Sequence, residues 1–178
     1  MSELRTNKIY PRDGLPAGAS GGGVIQVVSV TKTDAESLTS TSTETLITGM
    51  EATITPQSAS NKILVMVVLH AQVGSAYAAH YAVLRRGSTN IAIGDAAGSR
   101  IGASISFHDG YYDDSYGIHQ GQIIHLDSPG TTGATTYGVY HADVSTDNAL
   151  YINRSRTDTD NNLYNRVTSS ITLMEVSG

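Results

Sequence analysis

A chain of 178 residues can bury a full hydrophobic core as one domain, without a metal or disulfide to hold it. It has no Cys, which excludes disulfides, a thiolate nucleophile and a Cys-based zinc site. The net charge of −5, with a pI of about 5.6, lacks the basic footprint of a nucleic-acid binder. Charged residues make up only 15 %, and Gly, Ser, Thr, Ala and Tyr take their place, a balance that suits short strands joined by polar turns.

Residues 1–23 read as an arm. Ile9-Tyr10-Pro11-Arg12-Asp13-Gly14-Leu15-Pro16 runs into Ala17-Gly18-Ala19-Ser20-Gly21-Gly22-Gly23. Pro removes hydrogen-bond donors and Gly is costly to order, so neither a helix nor an inner strand fits. Leu4, Ile9, Tyr10 and Leu15 are the apolar anchors of a partner-binding arm, and Arg5, Lys8 and Arg12 its polar contacts. A solvating tail has no use for those four apolar side chains. Fully extended, such an arm reaches roughly 75 Å, with the triple glycine as its hinge. The opening Met1–Arg5 carries no apolar signal region, and the longest apolar run, Ile63–Leu69, is too short for a membrane helix.

From Val24 the hydrophobic period becomes two. Val24–Lys32 is the first predicted strand, and Thr33–Thr43 a Ser/Thr-rich loop. Glu44–Thr48 and Glu51–Thr55 read as two short strands or one strand bent at Gly49, followed by a turn over 56–61. Lys62–Val73 is almost continuously apolar and β-branched, which predicts a strand covered on both faces or central to a sandwich. Tyr81–Arg86 and Asn90–Gly94 flank Gly87-Ser88, a two-residue hairpin signal. Ile101–Phe107 alternates, Asp109–Ser115 is a loop, and Tyr116–Leu126 is a long strand. A turn on Pro129-Gly130 leads to strands at 136–140, 149–153 and 170–176. No segment has a helical period. The spacing predicts an all-β chain: a jelly-roll-like β-sandwich over 24–178 with an extended N-terminal arm over 1–23. Sheet edges in such a fold need covering, and symmetric oligomerisation is one way to do it.

Candidate chemistry is sparse. Gly18-Ala19-Ser20-Gly21-Gly22 matches G-x-S-x-G, but a nucleophile elbow needs a strand before it and a helix after it, so Ser20 reads as linker and no catalytic residue is assigned. His70, His80, His108, His119, His125 and His141 form no metal motif, and no metal or cofactor is expected. Asp109, Tyr111, Tyr112, Asp113, Asp114 and Tyr116 form an acidic–aromatic loop, the candidate ligand loop, because amphipathic rings stack on sugars. Asp158, Asp160, Asn161 and Asn162 form a second acidic loop, read as a solvated turn rather than a Ca²⁺ site.

Several segments carry a family resemblance. Arg5–Leu15, Ile25–Val28, Ile54–Val65, Asp127–Tyr137, Leu150–Ser155 and Ser169–Val176, in that order, resemble small structural proteins of marine tailed bacteriophages, notably cyanophages. The resemblance implies a non-enzymatic virion component at the particle surface, made in the host cytoplasm: a capsid decoration, head-fibre or short-fibre subunit. It further implies a homotrimer held to capsid or tail proteins by its N-terminal segment; the acidic charge and the short apolar runs add the expectation of no nucleic-acid contact and no membrane insertion. The alternative is a receptor-binding fibre tip that reads host surface glycans through the tyrosine loop. A glycan-degrading enzyme ranks last, since no pair of carboxylates is visibly placed for it.

Overall fold

The computed structural model describes residues 23–39, 41–75, 79–108, 116–144 and 149–178. The arm residues Leu4, Arg5, Lys8, Ile9, Tyr10, Arg12 and Leu15, and Ser20 with them, lie outside the described residues. Eleven strands follow in chain order: β1 (Val24–Lys32), β2 (Glu36–Leu38), β3 (Thr45–Ile54), β4 (Lys62–Val73), β5 (Ala79–Arg86), β6 (Thr89–Ile91), β7 (Ile105–His108), β8 (His119–Asp127), β9 (Thr135–Asp143), β10 (Leu150–Ile152) and β11 (Ser169–Val176).

Every pairing between them is antiparallel, and they form two sheets. In the first, β1 pairs β11, β11 pairs β4 and β8 takes the other edge of β4. Beyond Val68, where β11 ends, β10 pairs β4 over Ala71–Val73 and β2 pairs β10. In the second sheet β3 pairs β9 and β9 pairs β5, whose far edge is shared by β7 and β6. The long strands therefore stand in the orders β1-β11-β4-β8 and β3-β9-β5-β7, with the chain crossing between sheets at nearly every connection. That is the double Greek key of a jelly roll. β1 lies against β3 along one side and β8 against β7 along the other, curling the sheets toward closure.

The core lies between the sheets and follows the strands' period of two. Ile63, Val65, Val67 and Leu69 of β4 point inward and are buried, as do Ile171 and Leu173 of β11, Ala82 and Leu84 of β5, and Tyr137 and Val139 of β9. Each fully buried Ile, Leu or Val stabilises the fold by roughly 1.5–3 kcal/mol. At Gly121 on β8, an added Cβ would lie 2.5 Å from Ile105 Cγ2 on β7, so only glycine lets the two sheets approach there.

Three predicted elements shift and one open alternative is decided. The Ser/Thr-rich loop over 33–43 contains the short strand β2, which exists because β10 supplies its partner. Of the two alternatives over Glu44–Thr55, the single bent strand holds: β3 runs Thr45–Ile54, with its register shifted between Leu46 and Glu51, around Gly49. Strand structure begins at Ile105 rather than Ile101 and at His119 rather than Tyr116, where β5 and β4 respectively offer a free edge. The hairpin at Gly87-Ser88 forms as read: Arg86 pairs Thr89, and Gly87 takes the left-handed φ of +57° that the tight turn needs.

The strands give the sandwich two distinct ends. At the first, Gly23 enters β1 and its carbonyl accepts from Ser177 N. Beside it, buried Glu175 accepts from Asn61 Nδ2 (2.5 Å), Gln26 Nε2 (2.5 Å) and Gln57 N (2.7 Å). At the same end Asp127 accepts from Arg86 Nη1 and from the hydroxyl of Tyr137 at 2.6 Å. Burial, then the Asp127 carboxylate, pushes the Tyr137 phenol far up. At the second end, Lys32 is buried and its Nζ reaches Asp34 at 2.7 Å and Glu36 at 3.1 Å. Asn153, buried with a left-handed φ of 60°, donates from Nδ2 to the carbonyls of Lys32 and Asp34 and accepts from Ser169 Oγ. One amide thus ties β1, β10 and β11 together.

Candidate functional site

The second end also carries a surface with binding chemistry. Between β10 and β11 the chain makes an excursion over residues 154–167, organised by Arg154. Its guanidinium donates to the carbonyls of Ser155 and Arg156 (3.1 Å each) and to Ser37 Oγ on β2 (2.8 Å), and it lies 4.2 Å over the Tyr151 ring. Asn161 Oδ1 accepts from Leu163 N and its carbonyl accepts from Tyr164 N, which closes the tip of the excursion and sets Tyr164.

Tyr164 meets Tyr116, which precedes β8. The rings stack with centroids 5.2 Å apart and planes 16° apart, and Tyr116 remains 52 % exposed. Loss of water around the ring, then hydrogen bonding with Tyr116, raises the Tyr164 phenol above its ordinary value. Beside this pair is a hollow of about 320 Å³ lined by Asp158, Thr159, Asp160, Asn161, Tyr164 and Arg166. Arg166 Nη2 pairs with Asp158 Oδ1, and Arg154 Nη1 stands 3.8 Å from Asp158 Oδ2. The hollow therefore combines an aromatic wall with matched donors and acceptors and little net charge, chemistry that suits a polyhydroxylated neutral ligand. Asp158 is a poor Ca²⁺ ligand here, because its carboxylate already faces the guanidinium groups of Arg154 and Arg166.

Of the candidate ligand loop, only Tyr116 is among the described residues; Asp109, Tyr111, Tyr112, Asp113 and Asp114 lie outside them. The second acidic loop reads from sequence as a solvated turn; of its residues Asp158, Asp160 and Asn161 line the hollow with Tyr164 and Arg166, and Asn162 does not. The available signal was the pair of arginines, 154 and 166, that brackets the acidic run.

Inside the sandwich at this same end, His80 of β5 and His141 and Asp143 of β9 are buried, with His80 Nε2 3.9 Å from Asp143 Oδ2. Burial, then neighbouring His80, holds the His141 imidazole below its ordinary pKa. Among the described residues no group of three His, Cys, Asp or Glu side chains is arranged to hold a metal.

No protein-family model matches this chain. No curated protein matches it either. Among solved structures, the chain is similar to one from infectious bursal disease virus, "Structure of infectious bursal disease virus Gx strain", with a TM-score of 0.40 and 11 % identity. The match covers 85 % of this chain and 39 % of that one. The jelly-roll assignment rests on the strand order given above and not on this likeness.

Proposed function

We propose that this protein is a non-enzymatic structural subunit of a virus particle, a compact surface knob of the decoration or fibre kind. In this reading residues 1–23 fix it to other virion proteins and several copies, expected as a homotrimer, stand together. The observation that carries it is the polarity of the sandwich. The chain enters β1 at one end, beside Glu175, while the Tyr116–Tyr164 hollow is at the other, a strand length of roughly 30 Å away. An arm at one end and a ligand-type surface at the other suit a subunit attached at its base and presented outward. The resemblance of segment 5–15 to phage particle proteins supports attachment through that base. Cryo-electron microscopy of intact particles tests it: repeated jelly-roll density on the shell, tail or collar is expected, and absence from the particle overturns it. In full-length protein, Leu4→Asp with Leu15→Asp is expected to abolish binding to particles that lack the subunit, with the melting temperature unchanged.

A second reading is favoured by the stacked tyrosines: the far end binds host surface glycans. Saturable binding of the full-length protein to host envelope polysaccharide is expected, weakened about tenfold by Tyr164→Ala, in line with the loss of one ring-stacking contact. Equal binding by the variant, with its fold intact, would remove the hollow from consideration.

A further inference from the structure

The face of the β1-β11-β4-β8 sheet that is turned away from the core has one apolar row across all four strands, and in the next row is polar over β1 and β11 (Ser29, Thr172) and apolar over β4 and β8. Register places Val27, Met174, Leu64 and Leu126 in one row over all four strands. The next row ends in Met66 and Ile124. Ile124 is 70 % exposed, Val27 53 %, Leu126 49 % and Met66 37 %. The continuous apolar run of β4 reads as a strand covered on both faces or central to a sandwich; it is central, between β11 and β8, and among the described residues its outward Met66 stays exposed.

We propose that a second copy of this chain docks on this face, sheet against sheet, with Met66 and Ile124 inside the contact. Three observations favour a second copy. First, the outward positions of these four strands include no acidic residue, and Lys62 at one end is their one fixed charge. Two chains of net charge −5 repel wherever acids face each other, so a neutral face is where they can meet. Second, an apolar sheet face is half of a sheet-on-sheet packing, which closes at about 10 Å separation and suits two similarly twisted surfaces. Third, the exposed apolar side chains present on the order of 500 Å², at the upper end for a monomer surface. With their polar rim they approach the ~800 Å² per partner of a stable interface. The inference supplies a contact for the several copies of the reading above. It rests on the register, charge and exposure of this one sheet, so solution mass tests it with no particle present, and either can fail without the other.

The test is sedimentation of the full-length protein across a wide concentration range. The wild type is expected to reach a multiple of the chain mass. Ile124→Asp is expected to weaken association at least tenfold while keeping the wild-type melting temperature. Thr53→Asp, on the outer face of the other sheet, is expected to leave the mass unchanged. A wild type with single-chain mass throughout overturns the proposal, as does an Ile124→Asp protein that associates like wild type. Because the chain has no other cysteine, Ile124→Cys gives a single probe. Its thiol is expected to be protected from maleimide only at concentrations where the protein associates. Protection in a single-chain species would instead assign the face to residues 1–22 of the same chain and overturn docking by a second copy.

Discussion

Replacing Lys32 by Ala is expected to lower stability by about 3 kcal/mol, a fall in melting temperature of roughly 6–12 °C, read by calorimetry. The Lys32 side chain is 1 % exposed and its ammonium stands between Asp34 and Glu36. Asp34 is largely in water and loses little. Glu36 is the sensitive partner: its side chain is 22 % exposed, and Oε2 has no hydrogen-bond donor in place of the ammonium. Removing the cation leaves that carboxylate, near buried His141, with only the Thr48 hydroxyl at Oε1 among the described donors. Combining Lys32→Ala with Glu36→Gln is therefore expected to recover at least half of the loss, because the stranded charge, rather than the missing contact, accounts for most of it. Burial alone would lower the Lys32 pKa, but hydrogen bonds to Asp34 and Glu36 outweigh it and the pKa is raised. Its contribution is then complete below the ordinary lysine value and is lost only as pH rises through the higher folded value, so this pair stabilises across the neutral range. A Lys32→Ala protein as stable as wild type would mean that water already screens the cluster.

The strands were legible wherever burial and period agreed. The limits of β4 can be read from Lys62–Val73 alone, because its apolar run is bounded by the turn cluster before it and Gly74 after it. The hairpin at Gly87-Ser88 is likewise local chemistry. Strand β2 was not legible, because Glu-Ser-Leu has no strand pattern of its own and is held by β10, which lies more than a hundred residues further on. The same holds for the candidate site. Tyr116 stood out as part of an aromatic run, but its partner Tyr164 is isolated in sequence and arrives only because the excursion over 154–167 folds back under Arg154. The apolar outer face was signalled but ambiguous: the run in β4 fits a strand covered on both faces or one central to its sheet, and β4 is central, with Met66 exposed among the described residues.

Glu175→Ala is expected to cost about 3 kcal/mol at neutral pH, because Asn61 Nδ2, Gln26 Nε2 and Gln57 N together lose their buried acceptor. The effect should also carry a pH signature. Burial would raise the Glu175 pKa, but the hydrogen bonds from Asn61, Gln26, Gln57 and Ser58 outweigh it and hold the carboxyl below its ordinary value of 4.5. A depressed folded pKa contributes stability that is present above the unfolded value and disappears as pH falls through the folded one. Urea midpoints of wild type and Glu175→Ala should therefore lie far apart at pH 7 and draw together below about pH 4.5 as the wild-type carboxyl takes up its proton. A gap that stays constant down to acid pH would mean that the side chain acts by packing and not by charge. The carboxylate joins β11 to the turn before β4 and, through Gln26, to β1 just after Gly23. Its loss should loosen the end from which residues 1–22 depart before it reaches the Tyr116–Tyr164 end. In the proposed virion role, a partly acidified or Glu175→Ala protein should then weaken at its attachment base while the tyrosine hollow stays formed, a separation that hydrogen exchange of β1 and of residues 161–167 would resolve.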